Sequence, residues 1–162
     1  MVADSSSIIL LQKVRLLQIF LNTYFVVIPE PVFDELTGQG KKGSLELQNL
    51  LSNNVVKSSD EDNLKGLGRG ESSVISLYFE KAGDFVLLDD KKGAKYCKSQ
   101  EIPFVNALLL THILRVVGAV NDTEYREAEA RLIQEGYYSD TIIEKAAAIR
   151  NNELQQFMPA IA

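Results

Sequence analysis

One cysteine and one histidine stand among 162 residues. The lone Cys97 excludes an internal disulfide framework and any cysteine-based zinc cluster; the lone His112 excludes a histidine-rich metal site. Any metal ion must therefore be held by carboxylate oxygens, which points to Mg²⁺ or Mn²⁺. Long apolar runs are missing too. The two most apolar regions are broken by Lys13 and Arg15 and by His112 and Arg115, so neither supplies the roughly 18 uncharged residues of a membrane span. No basic segment precedes an apolar stretch at the amino terminus, as a signal peptide would require. A cytoplasmic protein with no membrane partner is expected.

What is present fits a single folded domain over residues 1–162. At this length roughly two thirds of the unfolded surface can be buried, and the 46% hydrophobic content supports an ordinary core. The net charge of −5 argues mildly against a general nucleic-acid binder. A cluster of four or five carboxylates would account for most of that excess, and bound metal would cancel much of its field. Charge alone does not decide the partner.

Val2-Ala3-Asp4 reads as a short strand ahead of a serine-rich helix cap. Helical stretches follow over Ile8–Lys13 and Leu16–Leu21. Tyr24–Ile28 is β-branched and aromatic, hence a strand, which Pro29 and Pro31 stop. Pro31 suits the first turn of a helix through Val32, Phe33, Glu35 and Leu36. Gly38–Gly43, with Lys41 and Lys42, is a basic loop; Leu45, Leu47, Leu50 and Leu51 form a helical face. Val55-Val56 suits a short strand, and residues 58–70 form the longest polar loop. A helix over Glu71–Lys81 then leads to Phe85–Leu88, an apolar run of the kind that forms a buried parallel strand. Lys91–Ser99 is a basic helix and Ile102–Val105 a last strand. Three helices close the chain, two of them with capping-box patterns at Asn121/Glu124 and Thr141/Glu144. Strands alternating with helices call for a three-layer α/β/α fold around a mostly parallel sheet of four to five strands. The helices from about 121 to 155 pack on this unit or serve association.

In such a sheet, ligands bind beyond the carboxyl ends of the strands. Asp4 and Asp89-Asp90 end strands, and Glu71 opens a helix whose partial positive charge favours an ionised carboxylate. Three separate places in the chain thus converge on one edge. Each acid also has a plainer reading: Asp4 as a cap, Glu71 as a first-turn residue, Asp89-Asp90 as a turn. Glu35 taken alone is an ordinary exposed helix residue, and Lys91, Lys92 and Lys95 an ordinary solvated face. Cys97 reads as core. Gly66-Leu67-Gly68-Arg69-Gly70 lacks the Lys-Ser/Thr of a phosphate-binding loop and more simply lets the chain turn before Glu71.

Four segments in order, Asp4-Ser5-Ser6, Ile28–Leu36, Leu67–Ser72 and Leu87–Gly93, resemble the PIN-domain family, in particular its bacterial and archaeal branch with a Gly-x-Gly-Glu-Ser helix start. The likeness runs from residue 2 to about 140. It implies a metal-dependent ribonuclease, often the toxin of a toxin–antitoxin pair, with RNA as substrate and an antitoxin protein or a second copy of the chain as partner. Carried over by position, Asp4, Glu35, Glu71 and Asp89 or Asp90 would form the acidic quartet that binds Mg²⁺ or Mn²⁺. Ser5, Lys91, Lys92 and Lys95 would meet the RNA backbone. Which aspartate of the pair faces the metal is left open, since one residue of register turns a side chain to the opposite face. The chain departs from the family pattern at Ala94, where many relatives carry arginine, and at Asn106-Ala107, where relatives carry Gly-Thr. These departures favour the alternative, a catalytically weakened domain that binds RNA or protein. A receiver or haloacid-dehalogenase-like phosphatase fits less well: Ser6 stands where the phosphatase needs its second aspartate, and the adjacent aspartates come too late for a receiver.

Overall fold

The computed structural model describes residues 1–41, 43–57, 64 and 66–159. Lys42 and residues 58–63 and 65 of the expected polar loop lie outside the described residues. Among the described residues five two-residue strands carry the fold: β1 (Val2–Ala3), β2 (Ile28–Pro29), β3 (Val55–Val56), β4 (Val86–Leu87) and β5 (Phe104–Val105). All pairings are parallel. The expected single sheet is divided, with β1-β4-β5 forming three strands and β2-β3 a separate pair. A lone bridge, Val2 to Val27, and the hydrogen bonds Ala3 N to Val27 O and Val27 N to Met1 O join the two. The junction is this narrow because β1 ends at Ala3: Asp4 donates its N–H to Leu87 O on the β4 side and then turns into a helix.

A helix begins after every strand. These are α1 (Ser5–Lys13), with α2 (Leu17–Thr23) behind it, α3 (Glu30–Thr37), followed by α4 (Ser44–Leu51), α5 (Arg69–Phe79), α6 (Lys91–Ser99) and α7 (Ala107–Val116). Since the strands run the same way, these helices start at one edge of the sheet, where the sequence places the acids. The three-layer α/β/α arrangement is as expected. Helix α5 packs on β1, β2 and β4, and α3 joins it to α4. Helix α7 packs on α1, on α8 (Asp122–Glu135), on α9 (Asp140–Ala148) and on a 3-10 turn at Asn151–Phe157. Ala128, Leu132, Leu154 and Phe157 are buried with the rest of the core. Tyr24 seals that end by donating its hydroxyl to Phe157 O at 2.9 Å.

Several boundaries differ from the sequence reading, each for a local reason. Pro29 does not stop a strand ahead of it but ends β2 and occupies the N-cap position of α3; the partner strand needs no N–H from it. Helix α5 starts at Arg69, two residues before Glu71, because Gly68 is its N-cap. Asn121 and Glu124 form the expected capping box, with Glu124 Oε2 accepting the Asn121 N–H at 2.8 Å. Thr141/Glu144 does not: α9 opens at Asp140 behind Ser139, with no side-chain cap bond. On α4, Leu47 and Leu51 are buried while Leu45 is 70% exposed.

That last contrast is testable by urea unfolding. Leu47→Ala should cost about 2–5 kcal/mol, the usual range for a core leucine, and Leu45→Ala should stay within about 0.5 kcal/mol. Equal losses would mean that α4 buries a different face.

Candidate active site

At the carboxyl ends of the strands lies a cavity of about 630 Å³, whose lining includes Asp4, Ser5, Glu35, Arg69, Glu71 and Asp90. Three of its four named acids double as helix caps. Asp4 is the N-cap of α1, its Oδ2 accepting from Ser6 Oγ at 2.6 Å and from Ser6 N at 3.3 Å. Asp90 is the N-cap of α6, with Oδ2 accepting the N–H groups of Lys92 at 2.6 Å and Gly93 at 2.8 Å. Glu71, in the first turn of α5, reaches back so that its Oε2 accepts the Gly68 N–H at 2.7 Å. The plain reading of these residues and the functional one therefore hold together: the caps fix where each carboxylate stands. Glu35, on α3, accepts from Ser5 Oγ at 3.0 Å and lies beside Gly70.

Asp89 stands apart. Its carboxylate accepts from Ser7 Oγ at 2.5 Å, from the Ala107 N–H at 3.0 Å and from the Tyr138 hydroxyl. Those bonds tie β4 to α1, to the start of α7 and to the loop between α8 and α9. Asp89 lines a second cavity, not the acidic one. Of the pair, Asp90 lines the acidic cavity and Asp89 the second one, although the Asp4 charge still raises Asp89.

Among the described residues none of these five acids forms an ion pair with lysine or arginine, and the electrostatics reflect it. Burial pushes the Asp4 carboxyl above its ordinary range, with Glu35 adding to the rise; Asp4 is 5% exposed. Glu71 is raised by burial and by its neighbours Asp90 and Asp4. In Asp90 burial also works upward, but the Gly93 N–H, the shared contact with Glu71 and the Lys92 N–H outweigh it and hold the carboxyl below its ordinary value. Asp89 is raised by burial despite its hydrogen bonds.

The donors suit a hard divalent cation, since Asp4, Glu35, Glu71, Asp90 and Ser5 offer only oxygens. As placed, no three acids among the described residues converge on one point. Exposed Glu35 and half-buried Glu71 have room in the cavity to turn toward an ion. Crowded, unpaired carboxylates are the expected resting state of such a site without its cation.

A family model described as PIN domain (DUF3368) matches residues 1–151. The chain belongs to the PIN-domain family. PIN domains are in general nucleases that use divalent metal ions. No curated protein and no solved structure matches the chain.

Of the other residues singled out in the sequence, Lys91 lines the second cavity and Lys92 lends its N–H to Asp90. Lys92 and Lys95 are exposed and line neither cavity. Lys41 turns back to donate to Glu35 O. Two residues were missed. Among the described residues Arg69 is the one cation in the lining of the acidic cavity, and its place inside Gly68-Arg69-Gly70-Glu71 is the available signal. Tyr138 was passed over because nothing nearby in sequence marks it as the partner of Asp89. Asn106-Ala107, a departure from the family pattern, has a local role: Asn106 Oδ1 accepts the Leu109 N–H at 2.8 Å to cap α7, and Ala107 N–H holds Asp89.

The raised carboxyls give a pH dependence with a definite sign. Between the ordinary carboxylate range and the raised values of Asp4, Glu71 and Asp89, the folded protein binds more protons than the unfolded chain, so stability falls as pH rises through that window. Asp90 acts oppositely, in a window below the ordinary range. Metal-free wild type should therefore lose more melting temperature from pH 5 to pH 8 than Asp4→Asn/Glu71→Gln does, a comparison that cancels the opposite contributions of the Met1 amine and His112, whose pKa values burial lowers. Mg²⁺ or Mn²⁺ should raise the melting temperature at pH 8, by about 3–6 °C at ten times its Kd, and by less at pH 5. Asp4→Asn/Asp90→Asn keeps both caps, because asparagine is as good an N-cap, and should lose the metal response. An undiminished response in that variant would rule out the acidic cavity as the metal site.

Proposed function

We propose that this PIN domain is a Mg²⁺- or Mn²⁺-dependent endoribonuclease that cleaves single-stranded RNA. The observation that carries the reading is the acidic cavity itself: among the described residues, five carboxylates, Asp34 included, from four different places in the chain, in a member of a nuclease family, at the sheet edge where open α/β folds bind ligands. A divalent cation held there would supply Lewis-acid chemistry toward a water and the phosphate. Asp4, Glu71 and Asp90 would supply the oxygens that hold it, each positioned by its helix cap. Glu35, oriented by Ser5, completes the set and is placed to accept a proton. Arg69 faces the same cavity and can pair with a phosphate oxygen, a task for which its planar guanidinium is suited. Asp89 acts through structure, keeping the end of β4 and the start of α7 in register.

Single strands are favoured over duplexes because a flexible backbone can bring one phosphate into a cavity while its bases splay away. As the toxin of a toxin–antitoxin pair, the protein would meet an antitoxin that covers this edge, and a gene for a small neighbouring protein would support that role. The second reading, a domain that binds RNA without cleaving it, is favoured by one observation: Ala94 leaves α6 without the arginine of its relatives.

Purified protein with Mn²⁺ should cut a single-stranded RNA and leave duplex DNA intact, and EDTA should stop it. Asp90→Asn and Glu71→Gln should each lower cleavage at least 100-fold with little change in melting temperature. Asp89→Ala should instead destabilise the fold by about 1–3 kcal/mol, the cost of stranding buried donors. Cleavage that survives in Asp4→Asn/Asp90→Asn would point to a contaminating nuclease, and binding without cleavage under every metal would favour the second reading.

A further inference from the structure

The second cavity, of about 280 Å³, lies between α6, the start of α7, the loop after α8, and α9. Its size falls at the low end for small-molecule sites, which are generally larger than about 300 Å³. Leu88, Phe104, Leu109 and Ile142 give it apolar walls, and Ala94 contributes only a methyl group where a longer side chain would fill the space. Lys91, Lys98 and Lys145, all exposed, stand at its edge and, among the described residues, none of the three is in an ion pair. Three lysines against the Asp89 carboxylate in the described lining leave a local excess of positive charge on a chain of net charge −5, which is complementary to an anionic strand.

The loop over this cavity is held in one shape. Tyr138 is tied down through its hydroxyl to Asp89. Gly136 leaves no room for a Cβ, which would stand 2.4 Å from the Tyr138 ring. Between them Tyr137 adopts a φ of 51°, a left-handed conformation that costs a tyrosine free energy. The outcome is an aromatic ring 88% exposed at the edge of an apolar cavity. A soluble domain gains no stability from such a placement, whereas an unpaired base gains a stacking partner. The cavity also adjoins the acidic one: Asp89 and Lys91 line the former and Asp90, between them in the chain, lines the latter.

We infer that this cavity receives one unpaired nucleobase of a single-stranded RNA, stacked on Tyr137, while Lys91, Lys98 and Lys145 hold the phosphates that flank it. The inference rests on the ribonuclease reading for its choice of ligand, and it names a subsite for a base next to the phosphate held in the acidic cavity. A peptide of acidic residues around an aromatic side chain is the competing occupant. The adjoining acidic cavity favours RNA, because there a phosphate finds Arg69 and the metal-binding oxygens, whereas a peptide carboxylate would meet more carboxylates.

The test is a binding titration in EDTA, where cleavage cannot occur, using a fluorescein-labelled single-stranded RNA octamer and the same octamer with abasic sites throughout. Wild type should bind the base-bearing strand about tenfold more tightly than the abasic one. Tyr137→Ala should erase that difference by weakening only the base-bearing strand, Tyr137→Phe should restore it, and Ala146→Phe, which fills the cavity from α9, should act like Tyr137→Ala. Circular dichroism checks that the variants fold. Wild type that binds both strands equally, or a Tyr137→Ala variant that keeps the tenfold preference, overturns the base subsite and leaves the ribonuclease reading standing. Failure of wild type to bind either strand overturns both, whereas Tyr137-dependent binding of the base-bearing strand with no cleavage under Mn²⁺ supports the subsite and overturns the ribonuclease reading alone. Tyr137-dependent binding of an acidic phenylalanine-containing peptide, with none of RNA, also overturns the inference and assigns the cavity to a protein partner.

Discussion

Every strand in this molecule runs in the same direction, and the placement of the site follows from that. A parallel strand is left at its carboxyl end, so the helix after it begins on the same edge as every other such helix. Helices α1, α3, α5, α6 and α7 all start there. Their unsatisfied N–H groups and partial positive charge make the edge attractive to anions. Asp4, Glu71 and Asp90 answer that field by capping three of the five helices. Each cap is worth about 1 kcal/mol, which helps to offset the repulsion of holding carboxylates together. The compensation is incomplete: Asp4 and Glu71 stay raised in pKa, and only Asp90, with two backbone donors on one oxygen, is lowered. The remaining imbalance is what a divalent cation would remove.

The two consecutive aspartates show how finely a strand end can divide labour. Both lie beyond the end of β4, where Asp90 caps α6 and lines the acidic cavity while Asp89 reaches α7 and Tyr138. The first contributes charge to a solvent-lined cavity. The second is spent on hydrogen bonds that lock three elements together. A half-buried carboxylate with three donors is costly to remove, so Asp89 supports the fold from outside the acidic cavity.

Much of this was legible in the sequence, because caps and strand ends are local. Asp4 ahead of three serines, Glu71 after Gly-Arg-Gly, and Asn121 with Glu124 each announce a helix start by chemistry within four residues. The apolar run Phe85–Leu88 announces a buried strand in the same way. What could not be read depends on distant partners. Asp89 and Asp90 are indistinguishable until Ser7 and Tyr138, 82 and 49 residues away, are in place. Thr141 and Glu144 have capping-box spacing, but Ser139-Asp140 starts the helix first. The division of the sheet follows from β1 being two residues long, which hydrophobic pattern does not report.

The separation of acidic and basic features has a consequence for how an anionic strand would be held. Among the described residues the acidic cavity offers a phosphate one arginine against five carboxylates, so without a cation it would repel that phosphate. The neighbouring cavity offers lysines and an aromatic ring, and its attraction does not depend on metal. On the ribonuclease reading, the strand is first captured beside the reactive centre, and its phosphate enters the centre only with a cation bound. Binding of metal and of phosphate would then be reciprocally coupled, each raising the affinity for the other by the same factor. Ala94 takes on a second meaning in this light. A longer cation there would add charge beside Asp90 but would fill the space a base requires. On the base-subsite reading, the short Ala94 side chain is what keeps that space open.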